Sequence, residues 1–143
     1  MNNESKTTPN VFTARHSELI KYVERQIRRQ EGIRNGSMED LTSNFNNNFE
    51  WNAEAVYKAN LKIAFFRNLL ATISSEECTE EYAKFVLRHE AEHAADDIMR
   101  SDPYNNHSSN GATNLARRWK FENFKDIHHI ALNLLDRLDP DEA

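Results

Sequence analysis

The chain contains 143 residues with a formal net charge of −5, a size that fits one domain and an acidic balance that argues against a main role in gripping a phosphate backbone. Hydrophobic residues make up 38% and charged residues 29%, so the chain is polar but holds enough apolar residues to fold. Only 3 glycines and 3 prolines occur, which leaves few of the turn residues that hairpins need and argues against β-strands.

Residues 1–11 are mostly polar and are predicted to form a flexible N-terminal arm. The opening run MNNESKTTPN lacks the apolar segment of a signal peptide, and no stretch of about 18 apolar residues occurs in the chain. Cys78 is the single cysteine, so no internal disulfide can form. We therefore expect a cytoplasmic protein without a membrane partner, folded as a single all-helical domain over residues 12–140.

The first helix is predicted from Thr13 to about Glu31. Its apolar residues recur at helical spacing, and they are Leu19, Ile20, Val23 and Ile27. Gly32 and Gly36 are predicted to end this helix. The stretch that follows, rich in Asn and Ser through Asn48, is predicted to be a long polar connection.

The second helix is predicted to begin at Asn52, a residue type that caps helices well, and to run to Ile73. Its apolar stripe consists of Val56, Ala59, Ile63, Phe66, Leu70 and Ile73, with Phe65 and Leu69 beside it. A stripe of this width is typical of a helix that faces a core.

Two further helices follow in the second half of the chain. Ser74 and Glu77 have capping-box spacing, which predicts a third helix from there through Met99, ended by the Asp102-Pro103 pair. Thr113 is predicted to cap a fourth helix that closes before Pro140. Together the four elements predict an all-α fold, a four-helix bundle-like single domain with a long polar connection between the first two main helices.

The third helix contains the run HEAEH at residues 89–93, which fits the zinc motif H-E-x-x-H. His89 and His93 lie one helical turn apart and project from the same face, so both can bind one zinc ion. Glu90 can then act as the general base on metal-bound water, whose pKa the ion lowers to about 7. If the motif is functional, Glu90 is the catalytic residue and zinc the cofactor; otherwise no cofactor is expected.

The same motif locally resembles the thermolysin-like zinc peptidases, because Glu122 and Asp126 form an E-x-x-x-D pair on the fourth helix. In that family such a Glu is the third zinc ligand, and the Asp orients one of the ligands without binding the metal itself. The resemblance implies His89, His93 and Glu122 as metal ligands, Glu90 as the base and Asp126 as an orienting group.

Other interpretations of the same helix are open. Arg88 and His93 fit the R-x-x-x-x-H pattern and so resemble the motif of the HEPN ribonucleases, which are small all-helical proteins that act as dimers. The resemblance implies that the two side chains stabilise a phosphoryl transition state and move a proton. Glu90 with His93 forms an E-x-x-H unit of the kind found in di-metal helical bundles, although one such unit is present here. His89 and His93 also suit an exposed helix face without a function.

A mixture of basic and aromatic residues near the start of the fourth helix predicts an interaction surface. Trp119 and Phe121 cannot both lie on one narrow core stripe, so at least one is expected to be partly exposed. Arg117 and Arg118 stand beside them, and aromatic and Arg residues are favoured at protein interfaces. These four residues are the candidate partner-binding residues.

The function predicted first is a small cytoplasmic helical interaction protein, such as an inhibitor, adaptor or regulatory subunit, that presents helix faces to a protein partner. Nucleic acid ranks below protein as a partner because of the acidic charge, and a homodimer is open. The alternatives are a zinc-dependent hydrolase that uses the HEAEH motif and a HEPN-like ribonuclease that uses Arg88 and His93. The hydrolase requires Glu90, whereas the ribonuclease requires Arg88.

Overall fold

The computed structural model describes residues 12–43, 48–101 and 110–140, and these residues form four α-helices. The helices are α1 (Ala14–Ser43), α2 (Phe49–Ile73), α3 (Glu80–Arg100) and α4 (Gly111–Leu138). No strand occurs within the described ranges, so the prediction of an all-α, four-helix fold is confirmed. The predicted arm at residues 1–11 and the predicted stop at Asp102-Pro103 lie outside the described residues.

The first helix is longer than the sequence predicted. Gly32 and Gly36 do not end it, and α1 continues without a break to Ser43. The prediction of a stop at these glycines is wrong because glycine lowers helix stability by only about 1 kcal/mol, which packing against α2 outweighs. Most of the predicted long polar connection is therefore helix, and α2 begins soon afterwards at Phe49.

The observed N-caps of two helices precede the predicted ones, by four residues at α2 and by three at α4. Asn48 occupies the N-cap of α2 in a left-handed backbone conformation with φ of 54°, and Asn52 lies buried inside the first turns of that helix. At α4 the cap is Asn110, whose side chain accepts a hydrogen bond from the backbone N–H of Thr113 at 3.0 Å. The predictions of Asn52 and Thr113 as caps are thus wrong, because neighbouring residues of the same capping type hold those positions.

The start of α3 also differs from the prediction. Ser74 ends α2 rather than beginning α3, and its hydroxyl donates to the carbonyl oxygen of Leu70 at 2.6 Å. Thr79 is the observed N-cap of α3, and its hydroxyl accepts from the backbone N–H of Tyr82 at 3.0 Å. Glu80 and Glu81 follow in the first turn, where carboxylates interact favourably with the helix dipole.

The four helices form two antiparallel hairpins. In the first hairpin, the ring of His16 near the start of α1 contacts the carbonyl of Ile73 at the end of α2. At its other end, the side chain of Asn52 faces Asp40 near the end of α1. In the second hairpin, Lys84 near the start of α3 pairs with Asp139 after α4. Of the four, α4 packs against each of the other three helices.

The two hairpins meet along a seam between α2 and α4, which run parallel. The ammonium group of Lys58 lies 2.7 Å from a carboxylate oxygen of Glu122. One turn further on both helices, Lys62 lies 3.0 Å from a carboxylate oxygen of Asp126. Charged pairs on the two helices therefore fix their register, while apolar residues fill the interior.

Most of the fully buried core lies towards one end of the bundle, where α1 and α3 begin; we call it the closed end. The buried cluster consists of Leu19, Val23, Phe66, Leu69, Ile73, Cys78, Ala83, Leu87, Leu134 and Leu138. Beyond Val23 no residue of α1 is fully buried. At the opposite, open end the exposed large apolar side chains are Ile33, Met38, Phe49, Trp51 and Met99. None of the described helices is long and apolar enough to span a membrane.

Candidate functional site

The outer face of α3 carries a row of exposed rings, formed by Tyr82, Phe85, His89 and His93. Tyr82 and Phe85 are 50% and 56% exposed, and their ring centroids lie 6.0 Å apart in a stacked arrangement. The ring of His89 stacks on Phe85 at 6.3 Å, and that of His93 follows at another 6.3 Å. We call these four residues the ring row. It spans twelve residues of helix, from Tyr82 to His93, or about 16 Å at a rise of 1.5 Å per residue.

The ring row arises from the helical repeat itself. The buried residues of α3 are Ala83, Leu87, Ala91 and Ala94, which form one stripe that faces the core. Tyr82, Phe85 and His89 recur at intervals of three and four residues on the opposite side. Tyr82 and Phe85 were not among the predicted site residues, although this second stripe of large side chains opposite the core stripe is visible in the sequence.

A cleft borders the ring row at His93 and lies between α2, α3 and α4. Its volume is about 180 Å³. It is lined by Leu61, Phe65, Glu90, His93, Ala94, Asp97, Lys120, Asn123, Phe124 and Ile127. Half of these side chains are apolar, while the charged groups lie on α3 and on the first half of α4. His93 belongs to both features, so the ring row and the cleft form one continuous surface.

Two carboxylates of α3 line this cleft, and their surroundings differ. Asp97 is mostly buried; one of its oxygens lies 3.0 Å from a guanidinium nitrogen of Arg100, and the other lies 3.3 Å from Nδ1 of His93. Glu90 is half-buried, and its carboxylate makes no hydrogen bond or ion pair with any part of the chain that the structure describes. An unpaired carboxylate beside apolar walls favours a positively charged ligand.

The structure does not gather the predicted metal ligands into one cluster. His89 and His93 lie on the exposed outer side of α3, whereas Glu122 on α4 pairs with Lys58 of α2 at 2.7 Å. Within the described ranges no group of three His, Cys, Asp or Glu residues could hold a metal ion. The zinc site and the catalytic role of Glu90 thus gain no geometric support and stay predictions.

Glu122 and Asp126 form ion pairs with the two lysines of the seam and so join α4 to α2. Burial by itself would lower the pKa of Lys58, but hydrogen bonds to Glu122 and Glu54 raise it above the ordinary value of 10.5. Lys58 therefore carries its charge at neutral pH and neutralises both carboxylates. Lys62 lies 3.0 Å from a carboxylate oxygen of Asp126 and also donates to the side-chain oxygen of Asn123 at 2.8 Å. The E-x-x-x-D pair that suggested metal ligation is a lysine-binding pair here.

The predicted partner-binding residues do not form one exposed surface. Trp119 is only 7% exposed and packs against Tyr57 with ring centroids 5.7 Å apart. Phe121 is half-buried, so the expectation that at least one of the two aromatics is partly exposed is confirmed. Arg117 and Arg118 are exposed, and Arg118 lies 3.8 Å from Glu50 on α2. A partner could reach the two arginines directly, but the Trp119 ring faces inward.

Arg88 and His93, the two residues that resemble the HEPN motif, do not lie on the same side of α3. Arg88 is half-buried, whereas His93 is exposed. Five helical positions rotate the side chain by about 140°, which places the two residues well apart around the axis. The ribonuclease interpretation would need a second chain to bring them together and stays a prediction.

Comparisons with protein-family models, with curated proteins and with solved structures found no match to this chain. The site must therefore be interpreted from its own residues.

Proposed function

We propose that this chain is a small helical protein-binding domain, and that a protein partner covers the ring row on α3. The observation that carries the proposal is the stacked pair Tyr82 and Phe85, each about half exposed on a helix whose other side is fully packed. A single exposed aromatic is common on protein surfaces, but adjacent rings that already hold one another in place are less so.

Energetics supports this use of the surface. Two stacked rings lose little side-chain entropy when a partner covers them, because each already restricts the other. Aromatic residues of this kind carry much of the binding energy at protein interfaces, and truncation of a central one costs about 2 kcal/mol or more. Tyr82 also has a hydroxyl group that can hydrogen-bond at the edge of such a contact.

Charge defines the chemistry of the partner. α3 carries six acidic residues and three basic ones, and the whole chain has a formal charge of −5. Glu92 and Asp96 are exposed beside the ring row. A complementary partner is a basic amphipathic helix that lays apolar side chains on Tyr82 and Phe85 and sets Lys or Arg near the acidic positions.

Photo-crosslinking tests the proposal in cells that express the chain. Benzoylphenylalanine is placed at Phe85 in one version and at Trp51, a 72% exposed ring on α2, in the control version. We expect one polypeptide to crosslink from position 85 and not from position 51. That polypeptide is then purified and its affinity measured for the native chain and for the Tyr82→Ala, Phe85→Ala double variant.

The proposal predicts that the double variant binds at least about 30-fold more weakly, from roughly 2 kcal/mol of lost contact, while Trp51→Ala binds as the native chain does. Circular dichroism checks that the exposed substitutions leave the fold intact. Equal crosslinking from positions 85 and 51 would overturn the proposal, and so would a double variant that binds the partner as tightly as the native chain does. A crosslinked product of twice the chain mass would replace the basic partner by a second copy of the chain.

A further inference from the structure

We propose that the cleft between α2, α3 and α4 is an anchor pocket for one arginine side chain of the basic partner. This inference rests on the proposed function, since the cleft adjoins the ring row at His93. It assigns Glu90, the candidate catalytic base, to the binding of a guanidinium group instead.

The size of the cleft fits a single side chain. Its volume is about 180 Å³. Pockets for drug-sized ligands begin at about 300 Å³, so a small-molecule cofactor would not be enclosed here. One long side chain that extends from a partner helix fills such a space and leaves the rest of the partner on the ring row.

The lining fits a planar cation on an apolar stem. Phe65 and Phe124 supply aromatic surface, and Leu61 and Ile127 supply aliphatic surface. Arginine suits this lining because its stem packs on apolar groups and its flat guanidinium stacks on rings and pairs with carboxylates. A lysine ammonium is more strongly hydrated and would lose more solvation free energy on entry.

The charges around the cleft point to Glu90 as the acceptor. Asp97 is already paired with Arg100 and faces His93, whereas the carboxylate of Glu90 lacks a hydrogen bond or ion pair among the described residues. A guanidinium in the cleft would supply this missing partner. Lys120 on α4 bears a like charge at the edge of the cleft, with its ammonium 5.8 Å from the centroid of the Phe124 ring. That lysine opposes a cation, so its removal should strengthen binding.

The test uses the full chain, labelled with ¹⁵N, and the probe N-acetyl-arginine amide at constant ionic strength. N-acetyl-citrulline amide, a neutral molecule of nearly the same shape, is the control probe. We expect the arginine probe to shift the backbone amide signals of Glu90, His93 and Asn123 in a saturable way, with millimolar affinity typical of so small a ligand. The citrulline probe should bind at least about fivefold more weakly, because its neutral urea group lacks the positive charge that pairs with the carboxylate.

Matched variants separate the cleft from the general acidity of α3. Glu90→Gln should weaken binding of the arginine probe at least about fivefold, whereas Glu92→Gln, which removes the same charge from the exposed side, should change it less than about twofold. Lys120→Gln should bind the probe more tightly than the native chain. Equal effects of Glu90→Gln and Glu92→Gln, or equal shifts with both probes, would overturn the inference.

The outcome is independent of the crosslinking test. The Tyr82→Ala, Phe85→Ala variant should bind the probe as the native chain does, because neither ring lines the cleft. Loss of probe binding with intact crosslinking from position 85 rejects only the anchor pocket. Intact probe binding without a crosslinked partner rejects the proposed function and, with it, the partner as the source of the arginine.

Discussion

A buried histidine ties α1 to α2 at the closed end. His16 is 1% exposed, and its Nε2 lies 2.8 Å from the carbonyl oxygen of Ile73, so that nitrogen carries the proton and donates. The ring of Phe12 packs over it at a centroid distance of 4.3 Å. The carbonyl belongs to the last residue of α2, where no further helical N–H is available to the final carbonyls, so the histidine satisfies an end of the helix.

Loss of this contact should destabilise the protein. We expect His16→Leu to lower the free energy of unfolding by about 1–3 kcal/mol, because a buried carbonyl loses its donor. His16→Gln should lose less, since its amide can still donate. Urea unfolding followed by circular dichroism measures both, with Ser17→Ala as the neighbouring control. A His16→Leu variant as stable as the native chain would show that Ile73 finds another donor.

Glu80 contributes stability that depends on pH. A hydrogen bond from the hydroxyl of Thr13 lowers the pKa of the Glu80 carboxyl below the ordinary 4.5; burial opposes this shift, while Lys84 and Arg15 add to it. A carboxyl with a lower pKa in the folded state stabilises the fold above its unfolded value. That stability is lost as the pH falls below about 4.5 and through the lower folded value.

We therefore expect Glu80→Gln to be less stable than the native chain at pH 7, by less than about 1 kcal/mol because the site is well solvated. The difference should shrink as the pH falls below 4.5. Unfolding midpoints in urea between pH 7 and pH 3 measure it, and Thr13→Val should reproduce part of the effect. A difference that stays constant down to pH 3 would contradict the assignment.

At the scale of the helix, α1 remains helical through two glycines. Gly32 and Gly36 both have ordinary negative φ, and a Cβ atom added at either would meet nothing within 4 Å. Neither glycine is required by a turn or by a close approach of another element. Their effect is to lower the stability of the second half of α1, because glycine gains more conformational entropy on unfolding than alanine does.

Alanine at these positions should stabilise the protein. We expect Gly32→Ala and Gly36→Ala each to raise the free energy of unfolding by about 0.5–1 kcal/mol, and their effects to add. Thermal unfolding measures the gain, with Gly111→Ala, at the first position of α4, as a control that should gain less. Loss of stability in the double variant would mean that α1 ends at the glycines, as the sequence suggested.

The helices themselves could be predicted from the sequence, but their ends could not. Apolar residues such as Ile63 and Phe66 recur at helical spacing and are indeed buried in α2. The helix starts depend on which of several Ser, Thr, Asn or Asp residues takes the N-cap position, and the helical repeat does not distinguish Asn48 from Asn52. Whether a helix passes a glycine depends on the packing of distant residues, which no local pattern contains.

The candidate site, like the helices, could be predicted from the sequence only in part. Glu90 and His93 could be selected from the sequence, and both line the cleft. That Glu122 pairs with Lys58 could not be predicted, since the two residues are 64 positions apart and meet only through the seam between the hairpins. Local spacing reports which side chains share a helix face, whereas their neighbours across the bundle follow from the tertiary fold.

Across the whole molecule, burial is uneven. The fully buried residues of α1 all lie between His16 and Val23, whereas its remaining residues are at most half-buried. The closed end also holds Ile73, Leu87 and Leu134, each with an exposed fraction of 0%. Local opening should therefore require much less free energy in residues 32–43 than at the closed end.

Hydrogen exchange at single-residue resolution should reveal this gradient. We expect backbone amides in residues 32–43 to exchange at least about 100-fold faster than those around Leu69 and Leu87, corresponding to a difference of roughly 3 kcal/mol in opening free energy. The Gly32→Ala, Gly36→Ala variant should slow exchange in the first region only. Uniform protection along α1 would show that its second half opens only with the whole domain.

The parallel arrangement of α2 and α4 also has a consequence for the order of folding. Each hairpin joins helices that are neighbours in the chain, so its contacts close short loops, whereas Lys58 and Glu122 are separated by 64 residues. The hairpins can form early and the seam last. Side chains of the seam would then act mainly on the rate of unfolding, so the lysines that fix the register would govern how long the native state survives rather than how quickly it is reached.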